Sequence, residues 1–493
     1  MSIKKKVKIH FIGIGGIGIS GLARIYLEKG YKISGSDLAA SETIKDLRKL
    51  GAKIKVGKHQ KGNLPLNTYL VIYNLAISED NPELREAKTR GIRSLTYPEA
   101  LGKLTKKYFT ICVSGTHGKT TTTGMISLIL LKAGLDPTII IGSKLKELNN
   151  ANSQLGAGKY LVIEADEYKR AFLNYHPDII VIMNIEEDHL DYYKDLKDIK
   201  RAFGNFVGLL PKNGFLITTS KIIMSLRGGV PHFLKKVRDD DEAISSRGKS
   251  SLLRLPARHR FASGEAGGLR RSPRGSFFAM TNSGRFIDYK EGPREKIGRV
   301  LKIPGEHNIQ NALAAFAAGQ ALEIPEKVIL KALGHYQGSW RRFEVKYDQA
   351  VTIIDDYGHH PTEIKATLRA ARQKYGKRRI WCVYQPHQIQ RTEKLFRGFT
   401  KAFQDADRVI ITKIFGVLGR DEISNQNLTA LSQKLAREIS RKRPEAVYLE
   451  YFSEIIHYLL KNVRRNDAVI IMGAGDINQL TPRLITVLKN QGL

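Results

Sequence analysis

The residues with the clearest capacity for chemistry form a glycine-rich turn in the first third of the chain. They are Gly115, Thr116, His117, Gly118, Lys119, Thr120 and Thr121. A strand-like apolar run precedes the turn at 108–113, and a helix-like run follows it at 125–130. Such an order binds phosphate, because free backbone N–H groups and the positive helix end face the anion. Lys119 would add a charge and the Thr120 hydroxyl a Mg²⁺ ligand, so the turn predicts a nucleotide-phosphate site.

A second glycine-rich turn lies near the N-terminus. It has the spacing G-x-G-x-x-G, with the glycines Gly13, Gly15, Gly16 and Gly18. Asp37 lies 19 residues beyond Gly18, at the end of the next strand-like run. Such a turn lets a pyrophosphate approach a helix N-terminus, and the acidic residue can bind a hydroxyl. The pattern leaves two ligands open, a dinucleotide such as NAD and the pyrophosphate of a UDP-sugar.

Acidic residues and a histidine follow two strand-like runs downstream. Glu164 ends the run 160–164, and His189 comes after the run 178–184. The carboxyl ends of parallel strands share one edge of a sheet, where ligands bind. Glu164, His189 and Thr120 therefore predict a site for Mg²⁺ that bridges phosphate oxygens. The alternative is that these residues are merely solvated loop residues.

Polar groups also cluster in the second half of the chain. His307 and Asn311 lie near the start of a helix-like run, where they can contact a purine, although helix capping by Asn308 explains the pattern equally well. Three later strand-like runs end in polar segments, at 355–363, 385–392 and 473–476. We expect these segments to share one rim of a sheet.

The elements that must position these residues alternate between strand and helix. The N-terminal hundred residues predict strands at 7–12, 32–36 and 69–73 with helices at 20–29 and 41–50. The C-terminal part predicts strands at 351–354, 380–384, 408–411 and 468–472. Such alternation indicates parallel sheets built from βαβ units.

We predict an α/β protein of three domains. These are a Rossmann-like N-terminal domain (1–106), a central P-loop-type ATPase domain with a mostly parallel sheet (107–334), and a Rossmann-like C-terminal domain (335–493). A linker is expected at 102–107. The segment 223–275 is anomalous, since it holds nine Arg against three Lys and lacks periodicity. It is interpreted as a disordered insertion or as a corrupted reading frame.

Composition narrows the function classes. The two cysteines lie in apolar runs, which favours reduced thiols and a cytoplasmic protein. Since no uninterrupted apolar run approaches 18 residues, membrane insertion is not expected. The formal charge of +33 suggests nucleic acid, but outside 223–275 the lysines are interleaved with acids and no recognition motif accompanies them. We therefore expect no specific nucleic-acid partner, and the oligomeric state is not readable.

Taken together, the motifs resemble those of the Mur ligases, the ATP-dependent amide-forming enzymes of peptidoglycan precursor synthesis. The similarity lies in six segments that match in the family's order, namely 10–18, 115–120, 188–191, 304–308, 355–363 and 385–387. Within the family it is greatest to the members that add L-alanine to UDP-N-acetylmuramate. The resemblance implies ATP, Mg²⁺, UDP-N-acetylmuramate and L-alanine as cofactors and substrates.

The resemblance also implies roles for individual residues. Catalytic roles fall to Lys119, His189, His359 and Arg391. ATP contacts, besides the phosphate turn itself, fall to His307, Asn311, Arg342 and Asp356. UDP-sugar contacts fall to Gly13, Gly15, Gly16, Gly18, Asp37 and Tyr357. Metal contacts fall to Thr120, Glu164 and His189.

Some positions depart from the family's pattern. Gln388 and Tyr97 each stand where an arginine is expected, which affects amino-acid preference and the UDP contacts. At Glu167 and Tyr168 the sequence resembles the murein peptide ligases of cell-wall recycling, so the murein peptide ligase activity stays open. The sequence also leaves open a non-catalytic relative, an NAD-dependent oxidoreductase and a basic NTPase that binds nucleic acid.

Overall fold

The computed structural model describes residues 8–226, 279–281, 284–416, 425–441 and 444–491. The anomalous segment 223–275 lies outside these ranges, except for 223–226, which end a helix. Three sheets organise the described chain, each with helices on its faces. The α/β prediction is therefore confirmed.

The N-terminal sheet is fully parallel, in the order β3-β2-β1-β4-β5. Its strands are β1 (Lys8–Ile12), β2 (Lys32–Asp37), β3 (Lys53–Val56), β4 (Thr68–Tyr73) and β5 (Arg93–Thr96). Its helices are α1 (Ile17–Glu28), α2 (Glu42–Lys49), α3 (Pro82–Thr89) and α4 (Tyr97–Thr105). Local sequence fixes the helix starts, since Ser41 and Asn81 cap α2 and α3, and Thr96 forms a capping box with Glu99.

The central sheet has the order β12-β13-β11-β10-β6-β9-β7-β8, with antiparallel pairs only at its two edges. Its strands are β6 (Phe109–Ser114), β7 (Thr138–Leu145), β8 (Ala151–Gln154), β9 (Tyr160–Glu164), β10 (Ile179–Ile182), β11 (Phe215–Thr218), β12 (Ala279–Thr281) and β13 (Gly284–Asp288). Its helices are α5 (Lys119–Lys132), α6 (Leu196–Val207), α7 (Ser220–Leu226), α8 (Arg294–Val300), α9 (Glu306–Ala321) and α10 (Glu326–His335). The strands next to β6 end in Glu164 on one side and lead to His189 on the other, so the phosphate turn lies between them.

The C-terminal sheet has the order β14-β15-β19-β16-β17-β18, and only β14 runs antiparallel. Its strands are β14 (Glu344–Asp348), β15 (Thr352–Asp356), β16 (Ile380–Tyr384), β17 (Arg408–Ile411), β18 (Glu445–Tyr448) and β19 (Ala468–Met472). Its helices are α11 (Pro361–Tyr375), α12 (Ile389–Lys394), α13 (Phe396–Phe399), α14 (Asn425–Ser440), α15 (Phe452–Asn462) and α16 (Leu480–Asn490). Because β15, β19 and β16 are neighbours, the polar segments that follow them share one rim, as expected.

The three units are joined in two different ways. One apolar core runs through the N-terminal and central units, where Leu101 and Leu104 of α4 belong to the same cluster as Leu161 and Phe172. The C-terminal sheet has its own cores on its two faces. Its contacts with the central unit include ion pairs and hydrogen bonds, such as that of Arg391 with Asp188. A polar interface of this kind suits a unit that opens and closes.

Two sequence predictions about local structure are wrong. The segment 102–105 is not a linker but the end of α4, because its apolar residues pack into the core shared with the central sheet. The helix after the phosphate turn begins at Lys119, not near 125, since the turn itself supplies the helix start. In the described ranges, no helix is long and apolar enough to cross a bilayer.

Candidate active site

The phosphate turn depends on two glycines with left-handed backbone conformations. Gly115 has φ 133° and Gly118 has φ 85°, values that side-chain-bearing residues rarely adopt. A Cβ on Gly118 would overlap the Asn311 side chain, and one on Gly115 would lie 3.0 Å from the Asn184 carbonyl oxygen. Asn184 also accepts the His117 backbone N–H at 2.8 Å, so the loop after β10 holds the turn in place.

Lys119 lies at the centre of the turn. Its Nζ donates to the Gly115 carbonyl at 2.6 Å and to both oxygens of Glu167, at 3.1 and 2.9 Å. Burial lowers the pKa of Lys119, but the carboxylates of Glu167, Asp166 and Glu164 together outweigh burial and hold that pKa above its ordinary value. The ammonium is therefore charged and fixed beside the phosphate cradle.

The Thr120 hydroxyl faces the carboxylate predicted for the metal site. Its Oγ1 donates to Glu164 Oε1 at 3.1 Å and Oε2 at 3.0 Å, and the Gly142 N–H donates to Oε2 at 3.0 Å. Burial raises the pKa of Glu164, although Lys119 opposes the effect. A divalent cation beside this carboxylate would offset the cost of burying its charge.

His189 lies with a different pair of carboxylates. Its Nε2 is 3.8 Å from Glu167 Oε1, and ligand atoms of Asp166, Glu167 and His189 lie within 4.8 Å of one another. The backbone of His189 has φ 52°, a strained conformation of the kind that clusters at functional sites. The predicted metal residues thus separate around Lys119, since Thr120 lies with Glu164, whereas His189 lies with Glu167, which the prediction did not include.

Two cavities of about 540 Å³ each meet at the phosphate turn. The first is lined by Gly118, Thr120, Thr121, His307, Asn311, Arg342 and Asp356, the predicted ATP residues. Burial lowers the pKa of His307 to about 4, so this imidazole is neutral at pH 7 and can stack on a purine. The first cavity therefore groups residues predicted to bind the nucleotide, from both the central and the C-terminal units.

The second cavity extends from the phosphate turn to the N-terminal unit. It is lined by Gly18, Thr116, Lys119, Glu164, His189, Tyr357, His359 and Arg391. Tyr97 also lines it and lies against Gly18, where an added Cβ would be 2.9 Å from the Tyr97 hydroxyl. The structure therefore brings the predicted catalytic residues and one glycine of the N-terminal loop to one cavity.

The N-terminal glycine loop is held by its own acidic partner. Gly15 N–H donates to Asp37 Oδ2 at 2.8 Å, and Ala39 N–H donates to the other carboxylate oxygen at 3.2 Å. The helix that follows, α1, has neither a side-chain cap nor an acidic residue in its first turn. Its N-terminus is thus suited to an anion, while Asp37 fixes the loop.

Arg342 and Asp356 reach the first cavity from the C-terminal unit. Arg342 Nη1 donates to Glu363 Oε1 at 3.2 Å, and its guanidinium lies 5.4 Å from the centre of the Tyr357 ring. Asp356 accepts N–H groups of Phe343 at 2.8 Å and Gly358 at 2.7 Å. Burial raises the pKa of Asp356 to about 6.

His359 and Arg391 line the second cavity from the C-terminal side. Arg391 is 8% exposed and binds Asp188 Oδ1 through Nε at 3.0 Å and Nη2 at 2.9 Å. Burial raises the pKa of Asp188, but His189 and Arg391 outweigh it and hold that pKa far below its ordinary value. Burial lowers the pKa of His359 to about 4, which leaves its imidazole neutral.

Three further residues complete the site. Glu167 fixes Lys119, Asp188 fixes Arg391, and Glu363 accepts bonds from Arg342 and from the His359 N–H. Asp188 and Glu363 lie within family motifs and Glu167 lies in the acidic segment after β9, but such a segment does not show which of its carboxylates faces inward. Their position in the sequence is the signal that could have found these residues, since all three come shortly after the end of a strand.

Comparison with known proteins identifies the family of this chain. The family model described as Mur ligase family, catalytic domain, matches residues 8–109. The model of the Mur ligase middle domain matches residues 113–319, and the model of the Mur ligase glutamate ligase domain matches residues 341–475. The chain belongs to the Mur ligase family. A Mur ligase of Acetivibrio thermocellus, UDP-N-acetylmuramate–L-alanine ligase, is 42% identical over 474 residues, which cover 95% of this chain and 93% of the relative.

Other Mur ligases agree in sequence and in fold. The enzyme of the same name from Clostridium tetani is 41% identical and covers 95% of this chain and 96% of its own. The crystal structure of UDP-N-acetylmuramate-alanine ligase from Thermotoga maritima matches with a TM-score of 0.72 and 26% identity, over 98% of this chain and 99% of that one. A murein peptide ligase from Psychrobacter arcticus matches in fold, with a TM-score of 0.64, 24% identity, and 98% and 99% of the two chains covered.

Proposed function

We propose that this Mur ligase joins L-alanine to the muramoyl carboxylate of UDP-N-acetylmuramate, with conversion of ATP to ADP and phosphate. The observation that carries the proposal is the position of the phosphate turn between two cavities. The nucleotide residues line one cavity, and the other reaches the N-terminal glycine loop. A phosphoryl group at the turn can therefore meet an acceptor that enters from the other side.

ATP occupies the first cavity in the proposed complex. Lys119 and the backbone N–H groups of the turn bind the phosphates, and His307 and Asn311 contact adenine. Arg342 and Asp356 close over the nucleotide from the C-terminal sheet. Since Lys119, Arg342 and Asp356 are held by hydrogen bonds before ATP binds, little reorganisation is needed when charge moves in the transition state.

The residues around Lys119 fit a Mg²⁺ ion. Glu164 is a partly buried carboxylate that accepts bonds from the Thr120 hydroxyl and from one backbone N–H, and Thr120 supplies a second oxygen. Oxygen ligands of this kind suit Mg²⁺, which supplies charge neutralisation between phosphate oxygens when bound. His189, with Asp166 and Glu167, would hold a second ion on the acceptor side of Lys119.

The acceptor occupies the second cavity. The glycine loop and the uncapped N-terminus of α1 bind the UDP pyrophosphate, with Asp37 fixing the loop and Tyr357 contacting the substrate from the opposite side. The muramoyl carboxylate then reaches the γ-phosphate at Lys119. Attack of a carboxylate oxygen on that phosphorus breaks the bond to ADP and yields an acyl phosphate, whose leaving group is phosphate instead of oxide.

The alanine amine attacks the acyl phosphate on the C-terminal side of the cavity. His359 Nδ1 lies 3.2 Å from the Tyr357 carbonyl oxygen, and a proton on Nδ1 leaves Nε2 as an acceptor for a proton of the amine. Arg391 binds the alanine carboxylate while Asp188 holds its guanidinium. Gln388 lies beside Arg391 in the same cavity and would contribute a neutral contact.

Closure of the C-terminal unit keeps water away from the acyl phosphate. The interface that must open for exchange of substrates is polar, as the pair of Arg391 and Asp188 illustrates. Opening therefore exposes groups that water can solvate, so it costs less than separation of an apolar core. Because ATP and UDP-sugars are cytosolic substrates and both cysteines are free thiols, we assign the reaction to the cytoplasm.

The test is release of phosphate from ATP with UDP-N-acetylmuramate plus L-alanine, glycine, L-serine or a murein tripeptide. We expect turnover with L-alanine, confirmed by the mass of the product. Preference for the tripeptide would favour the recycling activity, and no release by folded protein would indicate a non-catalytic relative. Lys119→Ala should abolish turnover and leave UDP-N-acetylmuramate binding largely intact, because most UDP contacts lie in the N-terminal unit.

A further inference from the structure

A cluster of two histidines and a glutamate lies between the central and C-terminal units. His117 comes from the phosphate turn, Glu186 from the loop after β10, and His360 from the start of α11. One ligand atom from each of the three lies within 4.8 Å of the others. The two imidazole rings have centres 4.6 Å apart, and His117 Nε2 is 3.6 Å from Glu186 Oε2. The proposed ligase reaction uses neither Glu186 nor His360.

His117 presents a buried nitrogen toward this cluster. Its Nε2 is buried and makes no hydrogen bond within the described ranges. This nitrogen faces the Glu186 carboxylate at the 3.6 Å of an ion pair, while Nδ1 faces Glu363 at 3.4 Å, so a metal ion at Nε2 would replace only the contact with Glu186. The neighbouring Glu186 is anchored by Thr362, whose Oγ1 donates to Oε2 at 2.7 Å. The carboxylate is therefore held next to the nitrogen.

We propose that His117, Glu186 and His360 bind a transition-metal ion such as Zn²⁺, and that this ion locks the C-terminal unit against the central sheet. Two imidazoles and one carboxylate are the ligand set that suits Zn²⁺, Co²⁺ or Ni²⁺, whereas Mg²⁺ prefers oxygen. This set is distinct from Thr120 and Glu164, which supply only oxygen.

Ligation requires a small rearrangement. His360 makes one hydrogen bond at each ring nitrogen, to the Glu187 carbonyl and from the Thr362 N–H, both at 3.2 Å. Metal binding replaces one of these two long bonds. The three side chains move together only slightly, and the fourth coordination position is left to water.

The consequence for turnover follows from where the ligands reside. Two ligands belong to the central unit and one to the C-terminal unit, so a bound ion bridges the interface that must open. Opening releases products, so the ion slows turnover even when Mg²⁺ saturates its own sites. Binding itself does not depend on the proposed amide-forming reaction, and it is measured without substrates.

The first test is Co²⁺ titration of full-length, EDTA-treated protein without nucleotide, followed by visible absorption. We expect the wild type to give d–d bands of a histidine-ligated ion that Zn²⁺ displaces. Glu186→Gln, which keeps an oxygen for Thr362, and His360→Gln should each weaken binding at least about 10-fold. The matched control is Glu187→Gln, an exposed neighbour of Glu186 that belongs to neither cluster and should leave the bands unchanged. Thermal unfolding without metal verifies that each variant is folded.

The metal site and its effect on opening are tested by separate measurements. Equal Co²⁺ affinity in wild type and Glu186→Gln, or loss of the bands in Glu187→Gln, overturns the site. For the locking effect, Zn²⁺ should inhibit the wild type more strongly than Glu186→Gln at saturating Mg²⁺, and added Mg²⁺ should not reverse the inhibition. Equal inhibition of the two proteins overturns the locking effect.

Discussion

Replacement of Gly118 by alanine tests how the phosphate turn is coupled to the proposed adenine side of the first cavity. Gly118 has φ 85°, and alanine in this left-handed conformation costs about 1–2 kcal/mol. A Cβ there would also overlap Asn311 Oδ1, so the amide must retreat by roughly 1 Å to restore van der Waals contact. Displacement of one hydrogen-bonding group costs about 1–1.5 kcal/mol, or about 10-fold in ATP affinity.

Gly134, at the other end of α5, provides a matched control. It has φ 74°, but no atom lies within 4 Å of the position its Cβ would take. Gly134→Ala should therefore show the backbone cost alone, as a fall of about 1–2 kcal/mol in unfolding free energy. Its KM for ATP should stay at the wild-type value.

The assay is steady-state turnover at varied ATP, together with direct binding of an ATP analogue and thermal unfolding. Gly118→Ala should lose stability comparable to or greater than Gly134→Ala and, in addition, raise the KM for ATP about 10-fold. Wild-type ATP affinity in Gly118→Ala, or an equal rise in both variants, would refute the reasoning that Asn311 transmits the change.

Three further substitutions address other parts of the site and fold. Thr120→Val removes the hydroxyl that faces Glu164, the carboxylate proposed to bind Mg²⁺, so the Mg²⁺ concentration for half-maximal turnover should rise about 10-fold, as measured by Mg²⁺ titration. Arg391→Lys loses the paired bonds to Asp188, so kcat/KM for L-alanine should fall about 10-fold or more, whereas the KM for ATP should change little. Burial raises the pKa of the Glu83 carboxyl, but hydrogen bonds from neighbouring side chains outweigh burial and lower that pKa to about 2. The stability that the Glu83 carboxylate contributes is therefore present above pH 4.5 and is lost as the pH falls through 2. Glu83→Gln should therefore lower the unfolding temperature at pH 7 but not near pH 2, whereas Glu86→Gln on the same helix should have little effect at either pH.

Short apolar strands that end in polar residues were predictable at residue resolution. The predicted runs 160–164, 380–384, 408–411 and 468–472 coincide with β9, β16, β17 and β19. Each is buried on both faces of a parallel sheet, so its sequence is a continuous apolar run with a sharp end. The sharp ends are also where the site residues lie, which is why motif positions and strand ends could be read together.

Elements stabilised by tertiary contacts were harder to predict. The first turns of α5 consist of Lys119 and four threonines, which have modest or poor helix propensity, yet these threonines are buried. Gly102 in α4 suggested a linker, but the glycine allows the helix to approach the backbone of Asn174 closely. In both cases packing against another element determines the structure. Such packing cannot be predicted from the local sequence pattern.

The candidate site was predictable in its residue types more than in its pairings. The sequence predicted Glu164, His189 and Lys119 as neighbours, but it did not show that Glu167 would bind the lysine and lie near His189. Likewise Asp37 was predicted as a ligand contact, whereas its carboxylate also holds Gly15. Pairings depend on rotamers and loop geometry after each strand, which only the folded chain specifies.

The most direct test of the central claim is transfer of ¹⁸O from the muramoyl carboxylate to phosphate. UDP-N-acetylmuramate labelled with ¹⁸O in the carboxylate is turned over with ATP and L-alanine, and the released phosphate is analysed by mass spectrometry. Activation through an acyl phosphate at Lys119 predicts that each phosphate contains one oxygen from the labelled carboxylate. Phosphate that contains no label, formed along with the amide product, would contradict this mechanism.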